Sequence, residues 1–428
     1  MIKKYFYIKT LGCKVNQYES QVIRENFLKN GYLETNSRDE ADVYVVNTCT
    51  VTSTSDSKSL RSIHANSLKK NKCVIATGCT VDAGEPDLYK LKGVNFFIKN
   101  KDKYNIPYII KDAQERHSAI ASEVGTRITG FKNHARAFVK IQDGCNNRCS
   151  YCKVSVVRGE SRSRPFEEVL NECKTLIKNG YKEIVLTGIC LGSYGKDISK
   201  DANLLKLIIE SCKIKGDWRM RLSSIEPKDV TDGLISQIRS EEKLCKHLHI
   251  PFQSGDDEIL RRMNRPYAAS DYIGIVNKLR IAVPDVAIST DIMAGFPGEK
   301  EVNFQNTLDF IKKIKPMRLH VFGFSKRTGT PAYNYKDDVG SALKKKRERT
   351  LMDAADGFSR EFERMFVGKT VRVLVEDKRD KQGFLQGYTD RYIKVLINAQ
   401  DGVKSRLLTC QLALTNQKAY GILLPYSD

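Results

Sequence analysis

The chain has 428 residues, 12 cysteines and 72 Lys+Arg against 51 Asp+Glu, a formal charge of +21. At about 150 residues per domain, that length accommodates roughly three domains with cores of their own. A hydrophobic fraction of 41% with 29% charged residues excludes a disordered or collagen-like chain, and the lack of any apolar run of about 18 residues excludes a transmembrane helix.

The first thirteen residues, Met1 to Cys13, combine a basic start with Leu-Gly-Cys, as a lipoprotein leader does. The apolar stretch is short and Lys9 interrupts it, so the segment reads as an opening β-strand. A chain without a leader is expected in the cytoplasm, where disulfides are rare and close cysteine spacings mean metal or catalysis. The positive excess fits either a solvated Lys-rich surface or a polyanionic partner, nucleic acid foremost.

Strand-like segments at 5–10, 43–46 and 73–77 alternate with helical patterns, which predicts a parallel, doubly wound sheet. Cys13, Cys49 and Cys79 each fall within three residues of a predicted strand end. They are therefore expected to converge on one sheet edge, where such folds bind ligands. Cys73 reads as a small buried hydrophobe, and the polar stretch 102–132, with Gly125 and Gly130, reads as a linker.

A second series places strands at 137–141, 183–186, 219–223, 247–251, 287–291 and 318–322, with helices such as 166–179 and 271–282 between them. Six βα units predict a partial (β/α)6 barrel with its chemistry at the C-terminal strand ends. Gly144-Cys145, Thr187-Gly188, Ser224-Ile225-Glu226, Gln253-Ser254-Gly255 and Gly295-Phe296-Pro297-Gly298 occur there. A basic helical stretch, 341–366, then leads to a period of two from Val371, with Val373 and Val375 on the same face. Short strands at 383–388, 392–397, 405–412 and 421–424 complete a small all-β barrel. The expected organisation is an α/β chain: a doubly wound domain over 1–125, the partial barrel over 131–365 and the β-barrel over 367–428.

The sharpest motif is Cys145-Asn-Asn-Arg-Cys149-Ser-Tyr151-Cys152. A closed structural zinc site needs four ligands, and no fourth Cys or His lies nearby. Three thiolates suit a four-iron cluster with one iron left open to chelate an amino and a carboxylate group. In this spacing the chain resembles the radical S-adenosylmethionine (SAM) enzymes. Thr10-Leu-Gly-Cys13-Lys-Val-Asn16-Gln, Val46-Asn47-Thr-Cys49-Thr-Val and Thr77-Gly78-Cys79 resemble the N-terminal domain of the methylthiotransferases. Arg158-Gly-Glu-Ser-Arg162-Ser-Arg164, Ser223-Ser-Ile-Glu226-Pro, His249-Ile-Pro-Phe-Gln253-Ser-Gly and Asp291-Ile-Met-Ala-Gly295-Phe-Pro-Gly-Glu299 extend the match. The final barrel resembles their TRAM-like RNA-binding domain.

The resemblance implies two [4Fe-4S] clusters and two equivalents of SAM. Cys145, Cys149 and Cys152 would hold the cluster that cleaves SAM to a 5′-deoxyadenosyl radical. Cys13, Cys49 and Cys79 would hold a second cluster that carries the inserted sulfur. Tyr151, Gly188, Glu226 and Gln253 are the residues expected to hold SAM. Gly-Cys13-Lys-Val-Asn-Gln-Tyr-Glu-Ser and Ser-Ser-Ile-Glu226-Pro resemble the subgroup acting on N6-threonylcarbamoyladenosine (t6A) at tRNA position 37. Isopentenyladenosine-tRNA and ribosomal-protein aspartate enzymes are the near alternatives. The implied partners are a tRNA anticodon arm and an electron donor such as a flavodoxin or ferredoxin, with no membrane. A non-enzymatic RNA-binding iron–sulfur protein is the alternative of another class, although a sensor needs no open SAM-chelating iron.

Weaker signals remain. Cys190 is either a substrate-facing thiol or an inert buried one. Lys153 and Ser155 replace an apolar residue and a proline often found after the third cysteine. His247 and His249 share a strand face, as metal ligands or as polar barrel lining. Cys173, Cys212, Cys245 and Cys410 read as core or surface thiols. Arg158, Arg162 and Arg164 fit either an anion grip or a solvated loop, and residues 344–349 either RNA contact or a charged helix face. Phe384, Tyr388, Arg391, Tyr392 and Lys394 interleave aromatic and basic residues as a single-strand-binding surface does, or form the small barrel's core.

Overall fold

The computed structural model describes residues 4–67, 72–115, 124–199 and 201–424. Among these, no helix is long and apolar enough to cross a membrane. Strands β1 (Tyr5–Thr10), β2 (Leu33–Glu34), β3 (Val43–Thr48), β4 (Cys73–Gly78) and β5 (Phe96–Ile98) form a parallel sheet in the order β2-β1-β3-β4-β5. Strand β3 is buried along its whole length. Val43 and Val45 pack with Phe6, Phe27 and Ile106, while Tyr44 and Val46 pack with Ile63 and Leu88 on the other face. Covered on both faces, such a strand reads as a continuous apolar run. The strand order reverses between β1 and β3, a topological switch point that opens a crevice beyond the strand ends.

The stretch 102–132 is not a linker throughout. A helix, Ile106–Glu115, buries Ile106 and Ile110 in the sheet's core. The apolar spacing 106, 109, 110 was the overlooked helical signal.

Six parallel strands follow: β6 (Ala137–Lys140), then after the short antiparallel pair β7 (Gln142–Asp143) and β8 (Arg162–Ser163), β9 (Glu183–Thr187), β10 (Arg219–Leu222), β11 (His247–His249), β12 (Ala287–Ala294) and β13 (Arg318–Gly323). They pair as β6-β9-β10 and β11-β12-β13. Parallel bridges Met220–Leu244 and Ser224–His249 join the halves into one open arc, the partial barrel expected. One apolar core fills the space between the arc and its outer helices. The helix Ser341–Arg364 then packs along β13, burying Leu351.

The chain ends in β14 (Thr370–Arg379), β15 (Leu385–Thr389), β16 (Lys394–Ile397), β17 (Leu407–Thr415) and β18 (Lys418–Leu423), a closed barrel. It docks on the arc's strand starts. Arg219 donates to the carbonyls of Arg372 and Tyr388 (3.1 and 2.8 Å), and Arg221 to those of Asp390 and Thr389 (2.8 and 3.0 Å). Tyr392 stacks on Tyr388 and on His247, each at 5.0 Å, and Arg391 pairs with Asp285 at 2.6 Å. Tyr388, Arg391 and Tyr392 are thus committed to an interdomain contact and do not form an open base-stacking surface. Among the aromatic and basic residues singled out, Lys394 is exposed and Phe384 half-buried.

Candidate active site

The three N-terminal cysteine loops are tied to one another by buried polar side chains. Gly12 has φ +94°, and a Cβ there would lie 2.5 Å from the Cys49 side chain. Only glycine lets the Cys13 turn close on Cys49. Asn16 donates to the carbonyls of Leu11 and Thr48, both at 2.8 Å. Thr48 Oγ1 donates to the Thr77 carbonyl (2.6 Å) and accepts from the Thr80 amide (3.1 Å). Ser59 Oγ bonds both the amide and the carbonyl of Cys49 at 3.2 and 3.0 Å. Burial pushes the Cys49 thiol up to about 11 and the Cys79 thiol upward as well, and the charged form of Cys13 would add to both shifts.

The Cys145–Cys152 loop lies across the barrel mouth. At Gly144, with φ +70°, a Cβ would sit 1.9 Å from the Glu160 carbonyl oxygen, so the loop's entry admits only glycine. Ser150 anchors it through Met263 (3.0 Å) and Arg262 (2.8 Å). Arg265 reaches Cys149 Sγ at 3.4 Å while pairing with Glu226 at 2.6 Å, and Tyr267 OH donates to Glu226 at 3.2 Å. Burial raises Cys152 to about 11, whereas a hydrogen bond from Cys190 is the main cause lowering Cys145. Cys190 is 4% exposed and held by Ser193 at 3.1 Å. It is therefore neither a substrate-facing nor an isolated thiol.

Among the described residues, neither cysteine trio gathers its sulfurs within 4.8 Å of one another. A single tetrahedral zinc, with Zn–S near 2.3 Å, would hold thiolates about 3.8 Å apart. The wider spread and the all-thiol donor sets fit iron–sulfur clusters.

One cavity of about 340 Å³ is lined by Cys13, Cys49 and Cys79 from the sheet edge and by Tyr151, Gln253 and, of the second trio, Cys152 from the barrel. Gln253 has φ +70°, and its Oε1 is buried without a hydrogen-bond partner. A polar atom left in that state calls for a ligand. Gly188 and Glu226 do not line this cavity. A Cβ on Gly188 would lie 3.0 Å from Gln142 Oε1, and Gln142 holds the Gly144 carbonyl at 2.7 Å. Glu226 acts on the Cys149 side through Arg265.

In the basic loop after Cys152, Arg158 and Arg164 are neither solvated nor free to grip an anion. Arg158 is buried and pairs with Glu19 and Asp143 (both 3.0 Å) and with Asn16 Oδ1 (2.5 Å). Glu19 also meets Lys103 and, at 2.9 Å, Lys140. Burial opposes ionisation of Glu19, but Arg158, Lys103 and Lys140 outweigh it and hold the carboxyl well below its ordinary value. Arg164 pairs with Glu172 at 2.6 Å, and Arg162 is exposed. Lys153, at the position of sequence departure, pairs with Glu85 of the N-terminal domain. Arg327 reaches back to Thr50 (2.6 Å) and Asp56 (2.6 Å), closing the cavity's far side. In the helix Ser341–Arg364, Lys344 and Arg347 pair with Asp337 and Glu299, leaving Lys345, Lys346 and Arg349 exposed. Cys173, Cys212, Cys245 and Cys410 are all buried in cores.

Below the cavity, the barrel interior is polar. His247 and His249 share Ser289 Oγ at 3.0 and 2.9 Å. Asp291 is bracketed by His249 (3.2 Å) and His320 (3.1 Å). Lys14 follows Cys13 directly. Burial, then Arg221 and Arg136, lower its ammonium to about 8, and its charge is felt at His247. His320 and Arg327 were missed in the sequence, and Asp291 was noted there only as the start of a matching motif. The alternation Arg318, His320, Phe322 on a barrel strand carried a signal for His320, since every second residue points inward.

A radical SAM superfamily model matches residues 139–311, the uncharacterized protein family UPF0004 matches 5–99, and a TRAM domain matches 364–404. The chain is 36% identical to the threonylcarbamoyladenosine tRNA methylthiotransferase MtaB of Bacillus subtilis, over 94% of this chain and 92% of that protein. It is 39% identical to the protein of the same name from Thermotoga maritima, over 90% of each. A tRNA-2-methylthio-N(6)-dimethylallyladenosine synthase of Acetivibrio thermocellus is 37% identical over 87% and 81%. Among solved structures, the radical SAM methyltransferase TsrM of Kitasatospora setae shares the fold, with TM-score 0.58 and 13% identity over 78% of this chain and 77% of that one. Identity of this extent along nearly the whole length places the chain among the radical SAM tRNA methylthiotransferases, as one of their enzymes.

Proposed function

We propose that this enzyme inserts a methylthio group at C2 of t6A37 in tRNA. The observation that carries the reading is the single cavity bordered by Cys13, Cys49 and Cys79 on one side and by Tyr151, Cys152 and Gln253 on the other. Sulfur donor and radical source would thus face one substrate.

Cys145, Cys149 and Cys152 would hold the SAM-cleaving [4Fe-4S] cluster, and Cys13, Cys49 and Cys79 a second one. When bound, the clusters and two equivalents of SAM supply radical C–H cleavage, sulfur and the methyl group, chemistry that acid–base side chains lack. Tyr151, wedged against Phe296, would wall the SAM site, and Gln253 Oε1 offers it a buried acceptor. Glu226 would position the Cys149 side through Arg265, and Gly188 would leave room for the loop. Asn16, Thr48 and Ser59 hold the sulfur-side loops in place. Arg158–Glu19 and Arg327–Asp56 tie the two halves together around the cavity. The domains would divide the work as 1–125, 131–365 and 367–428. The C-terminal barrel would grip the anticodon arm, with electrons from a flavodoxin or ferredoxin and the reaction in the cytoplasm.

Mass spectrometry of tRNA nucleosides from cells with and without the gene tests the substrate. Loss of the methylthio form of t6A, with t6A itself retained, is expected. Loss of methylthio-isopentenyladenosine instead would overturn the assignment. That second reading is favoured by the 37% identity to the dimethylallyladenosine enzyme.

A further inference from the structure

Among the described residues lining the cavity, two carry a buried polar atom without a hydrogen-bond partner: Gln253 Oε1, an acceptor, and Arg327 Nε, a donor. The cavity's other charged side chains are matched, Lys153 with Glu85, Arg158 with Glu19, and Asp291 with His249 and His320. Arg262, Arg265, Arg347 and Arg391 also leave Nε without a partner, but none of them lines this cavity. Arg327 is 7% exposed, and its guanidinium is held in place from one side. Nη2 donates to the carbonyl and to Oγ1 of Thr50, both at 2.6 Å, and pairs with Asp56 at 2.6 Å. Thr50 follows Cys49, so the spare donor is held beside the sulfur-side loop. A buried N–H is costly to leave bare, which favours a ligand that accepts from it.

We infer that Arg327 Nε donates to a ring nitrogen flanking C2 of the substrate adenine and so turns that edge of the base toward the sulfur-side loops. This rests on the C2 reading above and is indifferent to the N6 substituent. The charge of Arg327 is already met by Asp56, so its remaining N–H suits an uncharged acceptor better than a second anion. Met293, Phe322 and Phe324 line the same cavity and offer apolar and aromatic surface to a purine face. Sites that act on unstacked bases combine such surface with a few hydrogen bonds to the base edge. In adenine the acceptors N1 and N3 are both bonded to C2, so a hydrogen bond to either one fixes where C2 lies. Arg327 orients the base and takes no part in bond making.

The test uses the reconstituted full chain and anticodon stem-loops carrying adenosine, 1-deazaadenosine, 3-deazaadenosine or an abasic site at position 37. Affinity is read by fluorescence anisotropy without SAM. Wild type is expected to bind at least one deaza RNA roughly 10-fold more weakly than the adenosine RNA, the scale of a buried charged donor losing its acceptor. The RNA that loses affinity names the nitrogen. Arg327→Lys keeps a charge to face Asp56 but lacks the planar fork with its Nε donor, and it should bind all three bases alike. Equal binding of the abasic RNA by wild type and Arg327→Lys shows that the variant is folded. The deaza comparison on wild type stands even if that variant is not. A wild type that needs the base but binds adenosine and both deaza RNAs alike would overturn the role of Arg327 and leave the C2 reading intact. An Arg327→Lys protein that still tells them apart would do the same. A wild type indifferent to the abasic site would overturn the entry of base 37 into the cavity, and this inference with it.

Discussion

Arg158, six residues beyond Cys152, donates to Glu19, six residues beyond Cys13, at 3.0 Å inside the protein. This buried ion pair, together with Arg327–Asp56 and Lys153–Glu85, ties the two halves of the site to each other. Glu19 faces three cations, Arg158, Lys103 and Lys140, so Glu19→Gln would strand them. The expected loss is about 3–5 kcal/mol in urea unfolding, with part recovered in Glu19→Gln/Arg158→Gln. The folded-state carboxyl is held below its ordinary 4.5. Its contribution is therefore fully present above that pH and is lost as pH falls through the lowered value. A Glu19→Gln protein as stable as wild type at pH 7 would show that the halves are held by other contacts.

The cysteine trios make a separable prediction. Cys49→Ala and Cys149→Ala should each lower iron content by about four per chain after reconstitution, leaving the other cluster in place. Iron and sulfide analysis reads this directly. If Cys49→Ala keeps a full complement, the sheet-edge thiols hold no cluster.

His247 predicts a second acid-sensitive step. Burial, followed by Arg221, His249, Lys14 and Arg318, lowers its imidazole well below 6.5. The unfolded chain therefore takes up a proton that the folded chain refuses. Stability should fall below pH 6.5 by about 1.4 kcal/mol per pH unit from this group. In His247→Asn that slope should flatten between pH 6.5 and 5, measured by urea midpoints. An unchanged slope would assign the acid lability elsewhere.

Much of this was legible because strand ends announce themselves. The three sheet-edge cysteines were placed by counting from apolar runs, and the structure puts all three on one cavity wall. What stayed hidden was long-range. Whether Arg158 meets solvent, an anion or Glu19 depends on how two domains dock, and local sequence carries no record of that. Tyr392 gives the same lesson: a basic-aromatic pattern reads alike on an RNA surface and in a cation-lined joint. The helix Ile106–Glu115 was missed for a different reason, since its apolar face was read as part of a polar stretch.

Tyr392 also yields a prediction. Its ring stacks on His247 and Tyr388 and lies beneath Arg136, Arg221 and Arg318 at 5.6, 4.7 and 5.2 Å. Tyr392→Ala should cost about 2–4 kcal/mol and make the joint before β14 sensitive to protease. Wild-type protease resistance would show that the polar contacts of Arg219, Arg221, Arg136 and Arg391 suffice to seat the C-terminal barrel.

Arg265 joins two groups that single changes cannot separate, since it contacts Cys149 Sγ at 3.4 Å and Glu226 at 2.6 Å. An acceptor carboxylate fixes the guanidinium, and the guanidinium then donates to the sulfur. If Glu226 works only by that route, Glu226→Gln and Arg265→Lys should weaken SAM binding to the reconstituted protein by similar factors. The double variant should then be no weaker than either single one, with a coupling of about 0.5–3 kcal/mol in the cycle. Arg265→Lys keeps the charge but loses the planar fork that reaches two partners at once. SAM-induced change in the reduced cluster's EPR signal reads the effect independently of turnover. Strictly additive losses would mean that Glu226 meets SAM directly and that its pairing with Arg265 is incidental.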